Sequence, residues 1–395
     1  MLTLISLRKI AMTKLSTLVV TLFLFMLTQV AIAANPLIPA PPQLAATGYL
    51  LVDAQSGEVL IQNNADQPLP PASLTKLMTS YIAAVELDKG NIKLTDQVRV
   101  SIKAWQAPGS RMFIKEGTFV SLEDLLRGII IQSGNDASIA VAEHIAGSEE
   151  AFADLMNKHA VRLGMNNSHF LNATGLPEEE HYTTALDLAK LARAIIVDHP
   201  DHYAMYAEQY FTYNQIRQPN RNKLLWRDRS VDGLKTGHTE EAGYCLVASA
   251  ERNGMRLISV VMGAASEESR AVESQKLLTY GFRYYETHKL YSANEILNQP
   301  RVWGGAMDSV KLGITKDVYV TIPRGQKSAL AASLDVDAVI EAPIVLADQY
   351  GKVKVKLGEE TIVETPLLAL ESVEAGVFFK RLWDQIVLFF VQLID

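Results

Sequence analysis

The hydrophobic pattern of the folded chain begins with an antiparallel hairpin. After a proline-rich stretch over residues 35–43, Thr47 to Asp53 is predicted to be a strand and Glu58 to Gln62 its partner, with Ser56-Gly57 as the turn. From residue 72 to about residue 200 the pattern changes, because apolar residues recur every three or four positions. That period predicts a succession of helices, each of which buries one face.

A second group of strands follows this helical segment. Val231 to Thr236, Gly243 to Ala250 and Arg256 to Met262 are predicted strands, and a helix is predicted from Ser266 to about Tyr285. Strands at both ends of a helical segment predict an α+β fold, in which helices cover an antiparallel sheet and the first and last strands are adjacent. We assign residues 34–288 to this domain.

Residues 289–375 alternate short hydrophobic runs with polar breaks. Val318 to Ile322 and Val353 to Leu357 are predicted strands, and Gly351-Lys352 and Gly358 to Glu360 are predicted breaks between strands. The pattern predicts a small all-β domain that carries no obvious chemistry of its own.

The first 33 residues have the organisation of an export signal. The positive leader contains Arg8, Lys9 and Lys14. An apolar run from Leu15 to Val30 follows, and Ala31-Ile32-Ala33 then offers a cleavage site between small residues. An uncleaved membrane anchor is the alternative, but the run is short for a bilayer span. Met12 is an alternative start that still precedes a signal of ordinary length.

The C-terminal segment, residues 376–395, has an amphipathic pattern. Its polar residues, most of which fall on one helical face, are Lys380, Arg381, Asp384, Gln385, Gln392 and Asp395. The charge-free run from Gln385 to Ile394 is too short to cross the hydrocarbon core of a bilayer. We therefore predict a helix that lies in the headgroup plane and anchors the chain to a membrane surface. A helix packed on the β-domain is the alternative.

Composition and charge exclude several classes of protein. The chain is 48% hydrophobic and 21% charged, which is typical of a globular protein rather than a disordered one. Its net charge is −7 and its cations are dispersed, which argues against a nucleic-acid partner. The single cysteine, Cys245, lies in a predicted strand and is interpreted as a buried hydrophobe. The histidines form no His-Glu-x-x-His motif, so we predict no metal or other cofactor.

Two short motifs in the helical segment carry candidate chemistry, although each is weak alone. Ser73-x-x-Lys76 lies where the helical period begins, and residues three apart on a helix share a face, so the Lys76 amine can reach the Ser73 hydroxyl. The alternative role for Ser73 is a helix N-cap. Ser133-x-Asn135 lies between two predicted helices, where a loop or cap is the alternative.

A third motif, Lys235-Thr236-Gly237, closes a predicted strand, and its glycine allows a ligand to approach the strand edge. The three motifs follow one another in the order Ser-x-x-Lys, Ser-x-Asn and Lys-Thr-Gly, each in the expected element, which is the signature of the penicilloyl-serine transferases. Their combination is far more specific than any one of them.

With these motifs the chain resembles the low-molecular-mass penicillin-binding proteins, specifically the D-alanyl-D-alanine carboxypeptidases of the penicillin-binding protein 5 and 6 type. Further similar stretches are Tyr49 to Asp53, Asn172 to Pro177, Asp232 to Thr239, Ala242 to Tyr244 and the surroundings of Arg270. The likeness covers the mature chain end to end, including the β-domain and the C-terminal helix. The stretch from Ala107 to Ser110 departs from the family, because it is shorter than the glycine-containing loop of its best-known members.

The resemblance implies that Ser73 attacks the peptide bond between two D-alanines of a peptidoglycan pentapeptide, and that β-lactam antibiotics acylate the same serine. Lys76 is the implied base, and its pKa must then fall from about 10.4 toward 7 or 8. Burial and the charge of Lys235 both favour that fall. Ser133 is expected to relay a proton to the leaving amine. The implied location is the periplasmic face of the bacterial inner membrane.

The same resemblance assigns substrate-binding roles to seven residues, namely Asn135, Lys235, Thr236, Gly237, His238, Arg270 and Arg221. Asn135 is expected to bind the peptide backbone or Lys76, while Lys235 and Thr236 receive the terminal carboxylate. Backbone N–H groups of Ser73 and His238 are expected to form the oxyanion hole. The two arginines are expected near the carboxylate, with ordinary salt bridges as the alternative.

Three other functions remain open from the sequence. A class A β-lactamase shares the motifs but has Asp where this chain has Gly134, and Glu178 to Glu180 lack the context of a deacylating glutamate. A D,D-endopeptidase of the same fold has the same motifs, and a non-catalytic wall-morphology protein would keep the fold.

A Ser-His-Asp triad through Asp232 and His238 is not supported by the sequence, because the Gly-x-Ser-x-Gly elbow is absent from it.

Overall fold

The first domain is built on a five-stranded sheet with the strand order β2-β1-β9-β8-β7, in which every neighbouring pair is antiparallel. Its strands are β1 (Gly48–Asp53), β2 (Val59–Asn63), β7 (Val231–Thr239), β8 (Gly243–Arg252) and β9 (Met255–Ala264). The pairing of β1 with β9 confirms the predicted adjacency of the first and last strands. Cys245 on β8 is fully buried, and burial raises the pKa of its thiol to about 11.

The computed structural model describes residues 38–394, and the chain from Ala40 onward forms one compact unit. Of the preceding segment the structure describes only residues 38 and 39. The predicted signal peptide, residues 1–33, therefore lies outside the described residues, as does Asp395.

Helices cover both faces of the sheet. They are α1 (Thr75–Asp88), α2 (Ile102–Trp105), α3 (Leu122–Arg127), α4 (Asn135–Ala146), α5 (Glu149–Arg162), α6 (Ala185–Asp198), α7 (Pro200–Tyr203), α8 (Leu224–Arg227) and α9 (Glu267–Tyr284). Leu50 and Val52 of β1 belong to the core that contains the buried faces of α1 and α6. The side chain of Leu51 lies on the opposite face, where Gly281 of α9 comes so close that a Cβ atom would lie 2.9 Å from it. Strand alternation therefore puts β1 between two helical layers, which confirms the α+β fold.

Two antiparallel strand pairs in the helical segment were not predicted. They are formed by β3 (Gln97–Arg99) with β4 (Phe119–Ser121) and by β5 (Tyr210–Tyr213) with β6 (Ile216–Pro219). Strands of three or four residues are too short to establish an alternating pattern that sequence analysis can detect.

The second domain contains a five-stranded sheet of order β11-β12-β16-β15-β14 and a separate antiparallel pair, β10 with β13. Its strands are β10 (Tyr285–Tyr291), β11 (Ile296–Asn298), β12 (Leu312–Gly313), β13 (Val318–Pro323), β14 (Leu330–Val336), β15 (Gln349–Leu357) and β16 (Glu360–Ala369). The all-β prediction is confirmed. The predicted break at Gly351-Lys352 is wrong, because both residues lie inside β15. Gly351 has a φ of 152°, and a Cβ atom there would lie 2.3 Å from the Asp335 carbonyl oxygen, so the glycine serves an irregular strand pairing.

The C-terminal helix, α10 (Phe378–Ile394), packs on the β-domain through its polar face. Asp384 is buried and accepts hydrogen bonds from Arg301 and from the backbone N–H of Gly304, both at 2.9 Å. Lys380 forms an ion pair with Asp308 at 2.6 Å, and Leu388 is buried. The alternative prediction, a helix packed on the β-domain, therefore holds for the polar face of α10.

The apolar face of α10 remains exposed. The exposed apolar residues of the helix are Phe378, Phe379, Leu382, Trp383, Ile386, Phe389, Phe390, Val391 and Leu393. Among the helices that the structure describes, α10 included, none combines the length and the hydropathy that crossing a membrane requires.

Candidate active site

Ser73 and Lys76 lie together where α1 begins. Ser73 occupies a short 3-10 turn, Ala72–Leu74, that leads directly into the helix, and Lys76 follows in its first turn. The Lys76 Nζ atom lies 3.0 Å from the Ser73 Oγ atom. No side chain caps the start of α1, so Ser73 does not act as an N-cap. The Ser73 hydroxyl instead lines the cavity and contacts the Lys76 amine.

The Lys76 amine is held in an environment that weakens its affinity for a proton. The side chain is almost fully buried, and its Nζ also donates to the backbone carbonyl oxygen of Thr174. Burial, followed by the positive charge of Arg221, lowers the pKa of Lys76 to about 7, against the opposing charges of Asp136 and Glu149. A lysine with a pKa lowered this far has a neutral form near pH 7 that can accept a proton from Ser73.

Ser133 connects the second motif to the third. It lies between a π-helical turn, Gly128–Gln132, and α4, and its φ of 65° is left-handed. Such a conformation costs about 1 to 3 kcal/mol for a residue other than glycine and is common at functional sites. Lys235 Nζ donates to Ser133 Oγ at 2.9 Å.

Asn135 is bound to the loop over residues 107–110. Its side-chain amide donates to the Pro108 carbonyl oxygen at 2.7 Å, and its backbone N–H donates to the Ser110 carbonyl oxygen at 2.7 Å. The expected alternative contact, with Lys76, is therefore not made. The loop is also fixed by Asp136, which accepts hydrogen bonds from the backbone N–H groups of residues 112–114 at 2.9 to 3.2 Å.

Lys235 is as deeply buried as Lys76. Its amine lies between Ser133 Oγ and the Thr236 carbonyl oxygen, each at 2.9 Å. Burial lowers its pKa strongly, and the charges of Lys76, Arg221 and Arg270 lower it further. The charge of Lys76 thus acts on Lys235, whereas the charge that lowers the pKa of Lys76 is that of Arg221 rather than the expected Lys235.

Gly237 brings the edge strand β7 against the helix start that carries Ser73. A Cβ atom at this position would lie 3.2 Å from the Pro71 carbonyl oxygen and 3.2 Å from the Leu74 side chain. A side chain at this position would require the strand or the helix start to shift by a few tenths of an ångström.

These elements enclose a polar cavity of about 220 Å³. It is lined by Ser73, Ser110, Ser133, Arg221, Thr236, Gly237, His238, Tyr244, Glu267 and Arg270. Arg270 donates to the Gly237 carbonyl oxygen at 3.1 Å and lies over the Tyr244 ring. Arg221 lies exposed at the mouth, and the exposed His238 ring stacks on Tyr244 with 4.0 Å between the ring centroids. The cavity therefore combines hydroxyl groups with positive charge, which suits a carboxylate ligand.

A Ser-His-Asp triad is not assembled. Asp232 forms an ion pair with Arg256 at 2.8 Å and accepts a hydrogen bond from Tyr203. Over residues 38–394, no three His, Cys, Asp or Glu side chains lie close enough together to hold a metal ion.

Two family models match the chain. Residues 35–266 match the model described as D-alanyl-D-alanine carboxypeptidase. The chain belongs to the D-alanyl-D-alanine carboxypeptidase family. Residues 285–375 match the model of the penicillin-binding protein 5 C-terminal domain.

Individual carboxypeptidases of this family are similar over nearly the whole length. The chain is 46% identical to the D-alanyl-D-alanine carboxypeptidase DacC of Escherichia coli over 378 residues, which is 94% of each protein. The crystal structure of penicillin-binding protein 5 from Haemophilus influenzae superimposes with a TM-score of 0.81 at 44% identity, covering 85% of this chain and 99% of that one. Penicillin-binding protein D2 from Listeria monocytogenes, in its ampicillin-bound form, has a TM-score of 0.57 at 30% identity and covers 62% of this chain and 100% of that one.

This carboxypeptidase site also contains residues that the motifs did not reveal. The Thr174 carbonyl that contacts Lys76 lies in the stretch Asn172 to Pro177, which was noted only for its similarity. Asn172 holds that stretch, because its side-chain oxygen accepts three hydrogen bonds from Thr174 and Gly175. Glu267 lines the cavity although it belongs to none of the three motifs.

The difference from class A β-lactamases at Gly134 has a structural basis in this carboxypeptidase. A Cβ atom on Gly134 would lie 2.8 Å from the Asp136 carboxylate and 3.3 Å from the backbone nitrogen of Met112. An aspartate there would displace the hydrogen bonds with which Asp136 fixes the neighbouring loop. Glu178 accepts a hydrogen bond from Asn172 at 2.8 Å, which is a structural contact within its own loop.

Proposed function

We propose that this protein removes the terminal D-alanine from peptidoglycan pentapeptides through an acyl-enzyme on Ser73. The observation that carries the proposal is the buried Lys76 amine, 3.0 Å from Ser73 Oγ and with a pKa lowered to about 7. A serine hydroxyl is a weak nucleophile near neutral pH unless an adjacent base accepts its proton. The neutral form of Lys76 supplies that base.

In acylation, Ser73 Oγ bonds to the carbonyl carbon of the penultimate D-alanine while Lys76 takes the hydroxyl proton. The carbonyl electrons move to the oxygen, which the backbone N–H groups of Ser73 and His238 stabilise, each contributing about 3 kcal/mol. The C–N bond then breaks, and the leaving amine of D-alanine takes a proton delivered through Ser133. The hydrogen bond between Ser133 and Lys235 supports this relay.

In deacylation, water adds to the ester carbonyl, the C–O bond to Ser73 breaks, and the hydroxyl recovers its proton. The shortened peptide leaves with a new carboxylate. A β-lactam acylates Ser73 by the same attack, but its ring opens and the leaving nitrogen stays attached. The ampicillin-bound form of the Listeria relative supports this extension.

The terminal carboxylate of the substrate is bound by Lys235, Thr236, Arg270 and Arg221 in this proposal. Thr236 and both arginines line the cavity next to Ser73 and Ser133. Asn135 holds the 107–110 loop and, with Gly237, fixes the width of the cleft.

Incubation of the mature chain with a pentapeptide ending in D-Ala-D-Ala, followed by mass spectrometry, tests the proposal. The expected product has lost one alanine, and Ser73→Ala should yield none and should not be labelled by fluorescent penicillin. A cross-linked dimer of stem peptides is the companion substrate, because cleavage of the cross-link alone would indicate the endopeptidase alternative. Labelling without turnover of either peptide would indicate a non-catalytic wall-morphology protein.

We further propose that residues 1–33 direct export and that residues 376–395 hold the protein on the periplasmic face of the inner membrane. The catalytic and β-rich domains then comprise residues 34–288 and 289–375. The exposed aromatic and aliphatic face of α10 supports anchoring, since a lipid surface would cover it.

Liposome pelleting tests the anchor. The double variant Trp383→Glu/Phe389→Glu should leave most of the protein in the supernatant, because it puts two charges on the exposed apolar face. The matched control, Gln385→Glu/Gln392→Glu, adds the same charge at polar positions and should still pellet from neutral lipid vesicles. Equal pelleting of both variants would contradict the anchor.

A further inference from the structure

Glu267 is the acidic side chain among the residues that line the active-site cavity. It is the first residue of α9, directly after the capping residue Ser266. One carboxylate oxygen lies 3.1 Å from Lys223 Nζ, and the other lies 3.8 Å from a terminal nitrogen of Arg270. A negative charge thus lies within a cavity whose other charged lining residues are cations.

Arg270 is held by buried contacts, whereas Glu267 is partly exposed and pairs with Lys223. The Arg270 side chain is only 5% exposed, donates to the Gly237 carbonyl oxygen and lies over the Tyr244 ring. The Glu267 side chain is 54% exposed, and its 3.8 Å contact with Arg270 is longer than a hydrogen bond. These contacts hold the guanidinium independently of Glu267, and because Arg270 lines the cavity it can also face a second anion.

An arriving carboxylate meets both charges at once. Arg270 attracts it, and Glu267 repels it from the same end of the cavity. Glu267 also lowers the positive charge at the mouth by pairing with Lys223, which is itself partly exposed. Interactions between partly buried charges at such distances are weakened by solvent, but they are not abolished.

We propose that Glu267 is a specificity-determining residue that weakens binding of the substrate's terminal carboxylate by competing with it for Arg270. This inference rests on the proposed carboxypeptidase function. Because the released D-alanine and the shortened peptide are also carboxylates, the same repulsion disfavours their retention in the cavity. Glu267 therefore favours release of the products at the expense of the affinity for anions.

Steady-state kinetics with the pentapeptide test this role. Glu267→Gln should lower KM about threefold to fivefold with kcat within about twofold, the effect expected for one solvent-screened charge pair. The matched control is Glu268→Gln, which removes the same charge from the same helical turn. Glu268 pairs with Arg227 instead, at 2.7 Å, and does not line the cavity, so KM should not change.

A second measurement isolates charge from shape. Benzylpenicillin should acylate Glu267→Gln about threefold to fivefold faster than the wild type, whereas its uncharged methyl ester should react at equal rates with both. Glu267→Ala should behave like Glu267→Gln, and it provides an independent variant if one of them folds poorly.

An unchanged or raised KM in Glu267→Gln would overturn the inference, since it would show that Glu267 does not compete with the substrate carboxylate for Arg270. The inference would also be overturned if Glu267→Gln accelerated acylation by the methyl ester as much as acylation by benzylpenicillin. A wild type that releases no D-alanine would instead refute the proposed function itself, so the two failures are distinguishable.

Discussion

Lys235 Nζ donates a hydrogen bond of 2.9 Å to Ser133 Oγ, which joins an edge strand to the left-handed turn between two helices. Neither residue is near the other in sequence, and the bond exists only because β7 and the start of α4 meet at one cavity. The Ser133 hydroxyl thereby lies beside the buried Lys235 amine, in the cavity that Ser73 also lines.

We predict that Ser133→Ala lowers kcat about 10² to 10³-fold, the usual scale for loss of a proton-transfer group. Stopped assays on the pentapeptide give kcat and KM separately. Ser133→Gly is the matched variant, because glycine adopts the φ of 65° without strain and also lacks the hydroxyl. Equal loss in both variants supports the relay, whereas activity restored by glycine would assign the effect to the backbone.

Arg221 should control the protonation of Lys76. Its charge is the second cause, after burial, of the lowered pKa of Lys76, so Arg221→Gln should raise that pKa. The acid limb of the profile of kcat/KM against pH then moves to higher pH. Arg217→Gln is the control, since Arg217 lies over the Tyr210 ring and is not among the charges that act on Lys76. An acid limb that stays in place in Arg221→Gln would refute the electrostatic role.

A buried histidine should make the catalytic domain sensitive to acid. His202 contacts Ser80 at 2.6 Å, and burial lowers its pKa to about 4. The folded protein thus binds this proton more weakly than the unfolded chain, whose histidines have a pKa of about 6.5. The stabilisation is complete above pH 6.5 and is lost as the pH falls toward 4, by up to about 3 kcal/mol.

Urea unfolding between pH 4.5 and 7.5 measures this dependence. In His202→Asn the decline of the free energy of unfolding below pH 6.5 should be shallower than in the wild type. His144→Asn is the control, because His144 lies at the surface beside Asp96. The same slope in wild type and His202→Asn would show that other groups cause the acid sensitivity.

Asp384 should hold α10 on the β-domain. Asp384→Ala removes the acceptor for Arg301 and for the Gly304 N–H, which should weaken docking of the helix by about 1 to 3 kcal/mol. Hydrogen exchange across residues 378–394 should accelerate, while turnover of a soluble pentapeptide stays unchanged. Gln385→Ala, at an exposed position on the same helix, should leave exchange as it is. Unchanged hydrogen exchange in Asp384→Ala would show that Asp384 does not hold α10 on the β-domain.

The fold was predictable from the sequence wherever an element is long enough for its hydrophobic residues to show a strand or helix period. The strands of the central sheet, helix α9 and the all-β domain each extend over enough residues to reveal alternation or helical spacing. Gly351 misled the prediction, because a glycine that breaks a pattern in sequence can equally serve an irregular pairing inside a strand.

The site was predictable only where side chains carry the chemistry. The three motifs specify Ser73, Lys76, Ser133 and Lys235 by residue type and order. The Thr174 carbonyl is a backbone group that every residue possesses, so no sequence signal distinguishes it. The contact of Asn135 with Pro108 depends on the path of a loop, which the sequence does not specify.

The proposed mechanism requires Lys76 to be a neutral base near pH 7. Titration of its side chain by NMR in the active enzyme, with the signal assigned by comparison with Lys76→Met, measures this directly. The expected pKa is about 7, matched by an acid limb of kcat/KM at the same pH. A pKa that remains near 10, in an enzyme that still turns over the pentapeptide at pH 7, would contradict the mechanism.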